Sequence, residues 1–164
     1  MQSVRSYNTK GECYRTDGVV FSVAGRVRGR AVEAPEDERL GVNARAELAL
    51  AEAAMQTRLR EAAMAEGVTL VAPETVFLCA DTGLSSDVLL EPQVVFGPGV
   101  IVHEGATIRS FRHLEVCEIH ADTVIGPNAR IRPGSSIGAG SRVGNFAAIK
   151  ATTMGTGAKG DHLT

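Results

Sequence analysis

Along the second half of the chain the apolar positions fall into a period of six. Ile119, Ile125, Ile131, Ile137, Val143 and Ile149 stand at that spacing, and Thr123, Ala129, Ser135, Ser141 and Ala147 precede most of them by two. Glycine follows three of them directly, at Gly126, Gly138 and Gly144. An α-helix turns residues six apart to different faces, so it cannot bury such a line. Short flat strands that turn every six residues place the whole line on one interior edge. The pattern therefore predicts a parallel β-helix of hexapeptide repeats.

An earlier tract follows the same rule. Leu90, Phe96, Val102, Ile108 and Leu114 are six apart, and Val88, Val94, Val100 and Ala106 precede four of them by two. From Leu114 to Ile119, and again from Ile149 to Met154, the step falls to five. Each missing residue is expected at a corner, where a loop absorbs it. Arg112 breaks the small-residue line just before the first slip. Two separate short sheets are the alternative to one continuous stair.

Ahead of the repeats, residues 44–66 are rich in Ala, Leu, Glu, Arg and Met and predict one helix. Asn43 stands in the N-cap position, Glu47 lies in the first turns, and Gly67 supplies the stop. Leu48, Ala51, Met55, Leu59 and Ala62 form one apolar stripe that is expected to pack. Residues 68–87 read as a transition, with strand-like pieces at 69–71 and 75–78 and a turn near Pro73. The hexads then run from about Val88. Residues 1–31 are the least regular: 19–23 suggests a short strand, and Arg26, Arg28 and Arg30 alternate with Val27 and Gly29 in what reads as a solvated strand or loop. Pro35 with Glu36, Asp37 and Glu38 marks an acidic surface loop. One helix and the residues before it bury too little to stand as a domain by themselves.

Composition narrows the classes. The chain has 164 residues, 44% of them hydrophobic, so it can bury a core. Aromatics are only 4%, which suits thin coils filled with Ile, Val, Leu and Ala. A net charge of −2 argues against a general nucleic-acid grip. No apolar run reaches membrane-spanning length, and the first residues lack the organisation of a signal peptide. Cys13, Cys79 and Cys117 have no metal-ligand spacing and read as reduced thiols of a cytoplasmic protein. No glycine-rich phosphate loop or Walker pattern is present.

Two cations carry the candidate chemistry. Arg132 directly follows inward Ile131, and Lys150 directly follows inward Ile149, eighteen residues later. Eighteen is one three-sided coil, so both should point outward on one face, roughly 5 Å apart in backbone spacing. Stacked like charges repel, and a bound anion such as a sugar phosphate would turn repulsion into attraction. The alternative is two solvated cations that splay apart. His162 lies two hexads beyond Lys150, less the second slip; it is a candidate base or an exposed histidine. His103, His113 and His120 are read as surface residues. A three-histidine metal site is disfavoured because no pair has helical i, i+4 spacing.

Several strings identify a family. They are Val-Glu-Ala-Pro-Glu-Asp-Glu (32–38), Gly-Val-Asn (41–43), Gly-Val-Thr-Leu (67–70), Ile-Gly-Pro-Asn-Ala-Arg-Ile-Arg-Pro-Gly (125–134), Val-Gly-Asn-Phe (143–146) with Ile149-Lys150, and Ala-Lys-Gly-Asp-His-Leu-Thr (158–164). Residues 32–164 resemble the middle of the bifunctional N-acetylglucosamine-1-phosphate uridyltransferase and glucosamine-1-phosphate acetyltransferase. Gly11-Glu12, Tyr14 and Thr16-Asp17 are similar to a late segment of its uridyltransferase domain.

The resemblance implies a mainly β fold: a left-handed parallel β-helix (68–164), preceded by a linker helix (44–67) and a remnant of an α/β nucleotidyltransferase domain (1–43). It implies acetyl transfer from acetyl-CoA to glucosamine 1-phosphate and uridylyl transfer from UTP with Mg2+, in a cytoplasmic homotrimer without nucleic-acid or membrane partners. His162 would be the catalytic base, Arg132 and Lys150 would hold the phosphate, and Asn43 would touch both Mg2+ and the nucleotide sugar. The family's upstream glycine-rich loop, lysine and aspartate do not match here, nor do its later coils. A truncated product with neither site complete is therefore expected. Ala151 stands where the family often has a basic or polar residue. The alternatives are a non-catalytic trimerising β-helix and another hexapeptide-repeat acyltransferase; Gly41-Val42-Asn43 with its helix argues against the latter.

Overall fold

The computed structural model describes Val32, Glu33, Pro35, Glu38 and residues 40–161. The readings placed on residues 1–31, on Cys13, on Glu36 and Asp37 and on His162 lie outside the described residues. Two compact units divide the chain, Met1–Leu40 and Gly41–Thr164. In the first, the Glu38 N–H donates to Pro35 O at 3.2 Å, which closes a turn.

Helix α1 spans Arg45–Ala65. Its N-cap is Ala44, one residue later than expected, and Asn43 makes no side-chain cap. Alanine has no acceptor to offer, so Glu47 closes the end instead: its carboxylate accepts from the backbone N–H of Ala44 and of Asn43. At the other end Gly67 takes φ +93°, and the Val68 N–H donates to Ala63 O while the Gly67 N–H donates to Met64 O. This is a Schellman stop, and it buries Ala63 with Val68.

The buried face of α1 differs from the expected stripe. Leu48 and Met55 are 56% and 40% exposed, whereas Gln56 and Ala63 are buried and Leu59 is packed against the core. Polar bonding sets this orientation. Gln56 Nε2 donates to Leu78 O at 2.7 Å, and the Leu78 N–H donates to Gln56 Oε1 at 2.9 Å. The amide acts as a surrogate peptide for a stretch of chain with no neighbouring strand there. Arg60 Nη1 donates to Pro73 O at 3.0 Å. Replacing Gln56 by Leu would leave both Leu78 groups buried and unpaired. We expect a loss of about 2 kcal/mol, read as a lowered denaturation midpoint at unchanged slope.

After α1 the chain climbs in three-strand coils. The first holds β1 (Thr69–Leu70), β2 (Val76–Phe77) and β3 (Gly83–Leu84), with a 3-10 turn at Pro73–Thr75. The second holds β4 (Leu89–Leu90), β5 (Val94–Phe96) and β6 (Val100–Val102). The third holds β7 (Thr107–Ile108), β8 (Arg112–Leu114) and β9 (Cys117–Ile119). The fourth holds β10 (Val124–Ile125), β11 (Arg130–Ile131) and β12 (Ser135–Ile137). The fifth holds β13 (Arg142–Val143), β14 (Ala148–Ile149) and β15 (Thr153–Met154), and β16 (Lys159–Gly160) opens a sixth.

Every third strand pairs in parallel, giving three walls: β1-β4-β7-β10-β13-β16, β2-β5-β8-β11-β14 and β3-β6-β9-β12-β15. The expected parallel β-helix is present, and two separate sheets are excluded. It begins earlier than Val88, because residues 68–87 form a complete coil whose inward residues are irregularly spaced.

The interior is the line read from the sequence. Leu90, Ile108, Leu114, Ile119, Ile125, Ile131 and Ile137 are all fully buried. Burial of each such side chain contributes about 1.5–3 kcal/mol. Thr123, Ser135 and Ser141 fill the small interior positions, and each hydroxyl donates to a backbone carbonyl, of Gly138, Arg132 and Gly155 respectively. Both slips fall at the corner between the second and third walls, where Val116 and Ala151 take φ +44° and +45°.

Gly138 answers a close approach. A Cβ there would lie 2.6 Å from Met154 O and 2.7 Å from the Gly155 carbonyl carbon, in the next coil. Gly138→Ala must push those coils apart. A thermal melt is expected to show destabilisation of about 1–2 kcal/mol.

Candidate functional site

The second wall sets the two cations. Ile131 and Ile149 are register partners of β11 and β14, and the Arg132 N–H donates to Ile149 O at 2.8 Å. Arg132 and Lys150 therefore follow one another on consecutive coils, about 4.8 Å apart along the ladder direction. Both are exposed. Hydroxyls fix the backbone beneath them: Ser135 Oγ donates to Arg132 O at 2.8 Å, and Thr152 Oγ1 donates to Lys150 O at 2.7 Å. Neither cationic side chain forms a hydrogen bond or ion pair among the described residues. Glu115 precedes Arg132 in the same column, since Leu114 pairs with Ile131. Its carboxylate lies 3.9 Å from His113.

The cations stand on an open edge. A hollow of about 260 Å³, lined by His113, Glu115, Ala129, Arg130 and Ile131, borders the column at Glu115. A cleft of about 270 Å³ on the first wall holds Arg109 and Arg142, away from the pair.

Asn43 is exposed beside the start of α1. The carboxylate that reaches it is that of Glu47, which is already engaged with two backbone N–H groups. Magnesium requires near-octahedral oxygen coordination, usually through one or two free carboxylates and substrate phosphates. Among the described residues, those around Asn43 do not fit that ion. Cysteine chemistry finds no support either. Cys79 and Cys117 are unbridged, and burial pushes the Cys117 thiol up to about 11, leaving it protonated at neutral pH.

Three features take roles that the sequence did not assign to them. Gln56, outside the apolar stripe, is buried. Arg112 proves to be only 3% exposed, inside the β-helix, where the small-residue line was broken. His103 and His120 stack face to face across two coils, with ring centroids 5.1 Å apart. Seventeen residues separate them, which is one coil containing a slip. That spacing was the available signal; helical spacing was the wrong one to seek.

Coiled parallel sheets with this interior define the class. Residues 117–151 match the family described as bacterial transferase hexapeptide (six repeats), and the chain is a member of that transferase class. Longer matches specify it further. The chain is 54% identical over 157 residues to the protein named Bifunctional protein GlmU of Azorhizobium caulinodans, covering 96% of this chain and 35% of that protein. It is 62% identical over 157 residues to that of Acidiphilium cryptum, and 54% over 165 residues to that of Gluconobacter oxydans. These cover 96% and 100% of this chain, and 36% and 37% of those proteins. The chain belongs with the bifunctional GlmU proteins and spans about a third of the length of the relatives it matches.

Proposed function

We propose that this chain binds the phosphate of glucosamine 1-phosphate through Arg132 and Lys150 and serves acetyl transfer from acetyl-CoA to the sugar amine. The observation that carries the reading is the column of two cations on consecutive coils, neither of them with a partner among the described residues. An anion bound there removes their mutual repulsion and gains charge-assisted hydrogen bonds from both. Held by its phosphate, the sugar offers its amine to an acyl donor at a fixed distance from the wall.

The chemistry asked of the protein is modest. The amine must be neutral to attack the thioester carbonyl; an N–C bond forms, the C–S bond breaks, and the thiolate leaves. A base must take the proton the amine sheds. His162 is assigned that role by the family resemblance and by the ordinary pKa of imidazole. The open setting of Arg132 and Lys150 suits a site completed by a neighbouring copy, in keeping with a homotrimer. Uridylyl transfer is left aside, because among the described residues no cluster of metal ligands adjoins Asn43.

Thiol release from acetyl-CoA tests the reading. Release is expected with glucosamine 1-phosphate and not with glucosamine. Equal release with both would remove the cation pair from the site. Absence of both release and sugar-phosphate binding would leave a β-helix that serves only assembly.

A further inference from the structure

On the third wall, His103 follows β6 and His120 follows β9, each one residue beyond a buried apolar residue. The parallel ladder puts them in register: the His103 N–H donates to Ile119 O at 2.8 Å, and the His120 N–H donates to Ile137 O at 2.9 Å. Their rings are parallel within 1°. Glu118, two residues before His120 and on the same outer face, reaches both. Its Oε1 lies 2.8 Å from His103 Nε2, and its Oε2 lies 3.9 Å from His120 Nε2. Ser136 Oγ, one coil on, stands 3.1 Å from His120 Nε2.

We propose that His103, Glu118 and His120 form a binding site for a divalent transition-metal ion that clasps the second coil to the third. The three ligand atoms already lie within 4.8 Å of one another. Two imidazoles and one carboxylate are a ligand set of zinc-like ions, whose bonds to N and O are about 2.0–2.2 Å. Two nitrogen donors select such ions over magnesium or calcium, which prefer oxygen. Small rotations of three half-exposed side chains close the remaining distance. The backbone need not move, because the ladder spacing has already brought the rings together. His120 Nε2 takes either Ser136 Oγ or the ion, so metal uptake at that nitrogen displaces the Ser136 contact. Remaining coordination positions face outward, open to water or to a ligand atom of another molecule.

The site is independent of Arg132 and Lys150, which lie on another wall, so acetyl transfer and metal uptake can fail separately. The test is Zn2+ titration of the metal-stripped chain by calorimetry, with Co2+ absorption as a report of coordination. The expected result is uptake of one ion per chain, a melting temperature raised by Zn2+, and visible Co2+ bands. Glu118→Gln and His120→Ala should each weaken uptake by about tenfold or more. His113→Ala, on the neighbouring wall, should leave it unchanged. The metal-free melts of the variants report whether each one folds. Absence of uptake by the parent chain, or equal uptake by the His103→Ala, Glu118→Gln, His120→Ala triple variant, would overturn the proposal.

Discussion

With Arg132 and Lys150 both replaced by alanine, the chain is expected to bind glucosamine 1-phosphate about a hundredfold more weakly, or worse, than the parent. Hydrogen bonds to charged groups contribute about 1.5–3 kcal/mol each, so removing two costs at least about 3 kcal/mol. The low end applies because both side chains are exposed and salt screens them. The parent's affinity should accordingly fall as ionic strength rises, and the variant's residual binding should respond much less. Folding should survive the change: neither side chain has a partner to lose among the described residues, and the backbone there is held by Ser135 and Thr152. Titration calorimetry at low salt reads the effect. Unchanged affinity would move the phosphate elsewhere.

Arg112→Met is expected to stabilise the chain by about 3 kcal/mol at neutral pH. Arg112 fills an interior position that its counterparts leave to Val94 and Ala129. Its Nη1 donates to Ala129 O, but Nε and Nη2 are buried with no partner among the described residues. The ladder reflects the intrusion: β8 and β11 register only at Leu114 and Ile131, whereas β5 and β8 register at three pairs. Burial lowers the guanidinium pKa to about 10, against a weaker opposing attraction from Glu91.

A buried ion without adequate partners is commonly replaced by an apolar side chain at a gain of about 1–4 kcal/mol. The pH dependence follows from linkage. Above about pH 10, and below the ordinary arginine range, the unfolded chain holds the proton and the folded chain does not. The parent therefore gains stability as pH rises through that window, and the advantage of the methionine variant shrinks. Comparing the two melts at pH 7 and pH 11 reads this difference, because other titrating groups cancel. A variant less stable than its parent at pH 7 would show that the bond to Ala129 outweighs burial of the charge.

The hexads were legible because each one is a local statement of the same three-dimensional rule: an inward branched residue, a small residue two before it, and a turn. Even the slips were readable, since Val116 and Ala151 simply shorten one corner. The first coil escaped notice because a 3-10 turn and α1 stretch its spacing, and its Leu78 backbone is satisfied by a side chain instead of a strand. The helix cap was misplaced by one residue because Glu47 reaches back to an alanine. Gln56 and Arg112 are polar residues with partners far along the chain; the break at Arg112 showed in the small-residue line, but its burial and its partner did not. The cation column was visible as an eighteen-residue interval. The histidine pair obeys the same one-coil rule at seventeen residues, a spacing that brings side chains together in a β-helix and not on an α-helix.

A double-mutant cycle on glucosamine 1-phosphate affinity, using Arg132→Ala, Lys150→Ala and both together, tests most directly whether the two coils present one anion site. Two cations that grip a single phosphate must be coupled, and an interaction energy of about 0.5–3 kcal/mol is predicted. Strictly additive losses, or no loss from either single replacement, would mean that these side chains never share a ligand.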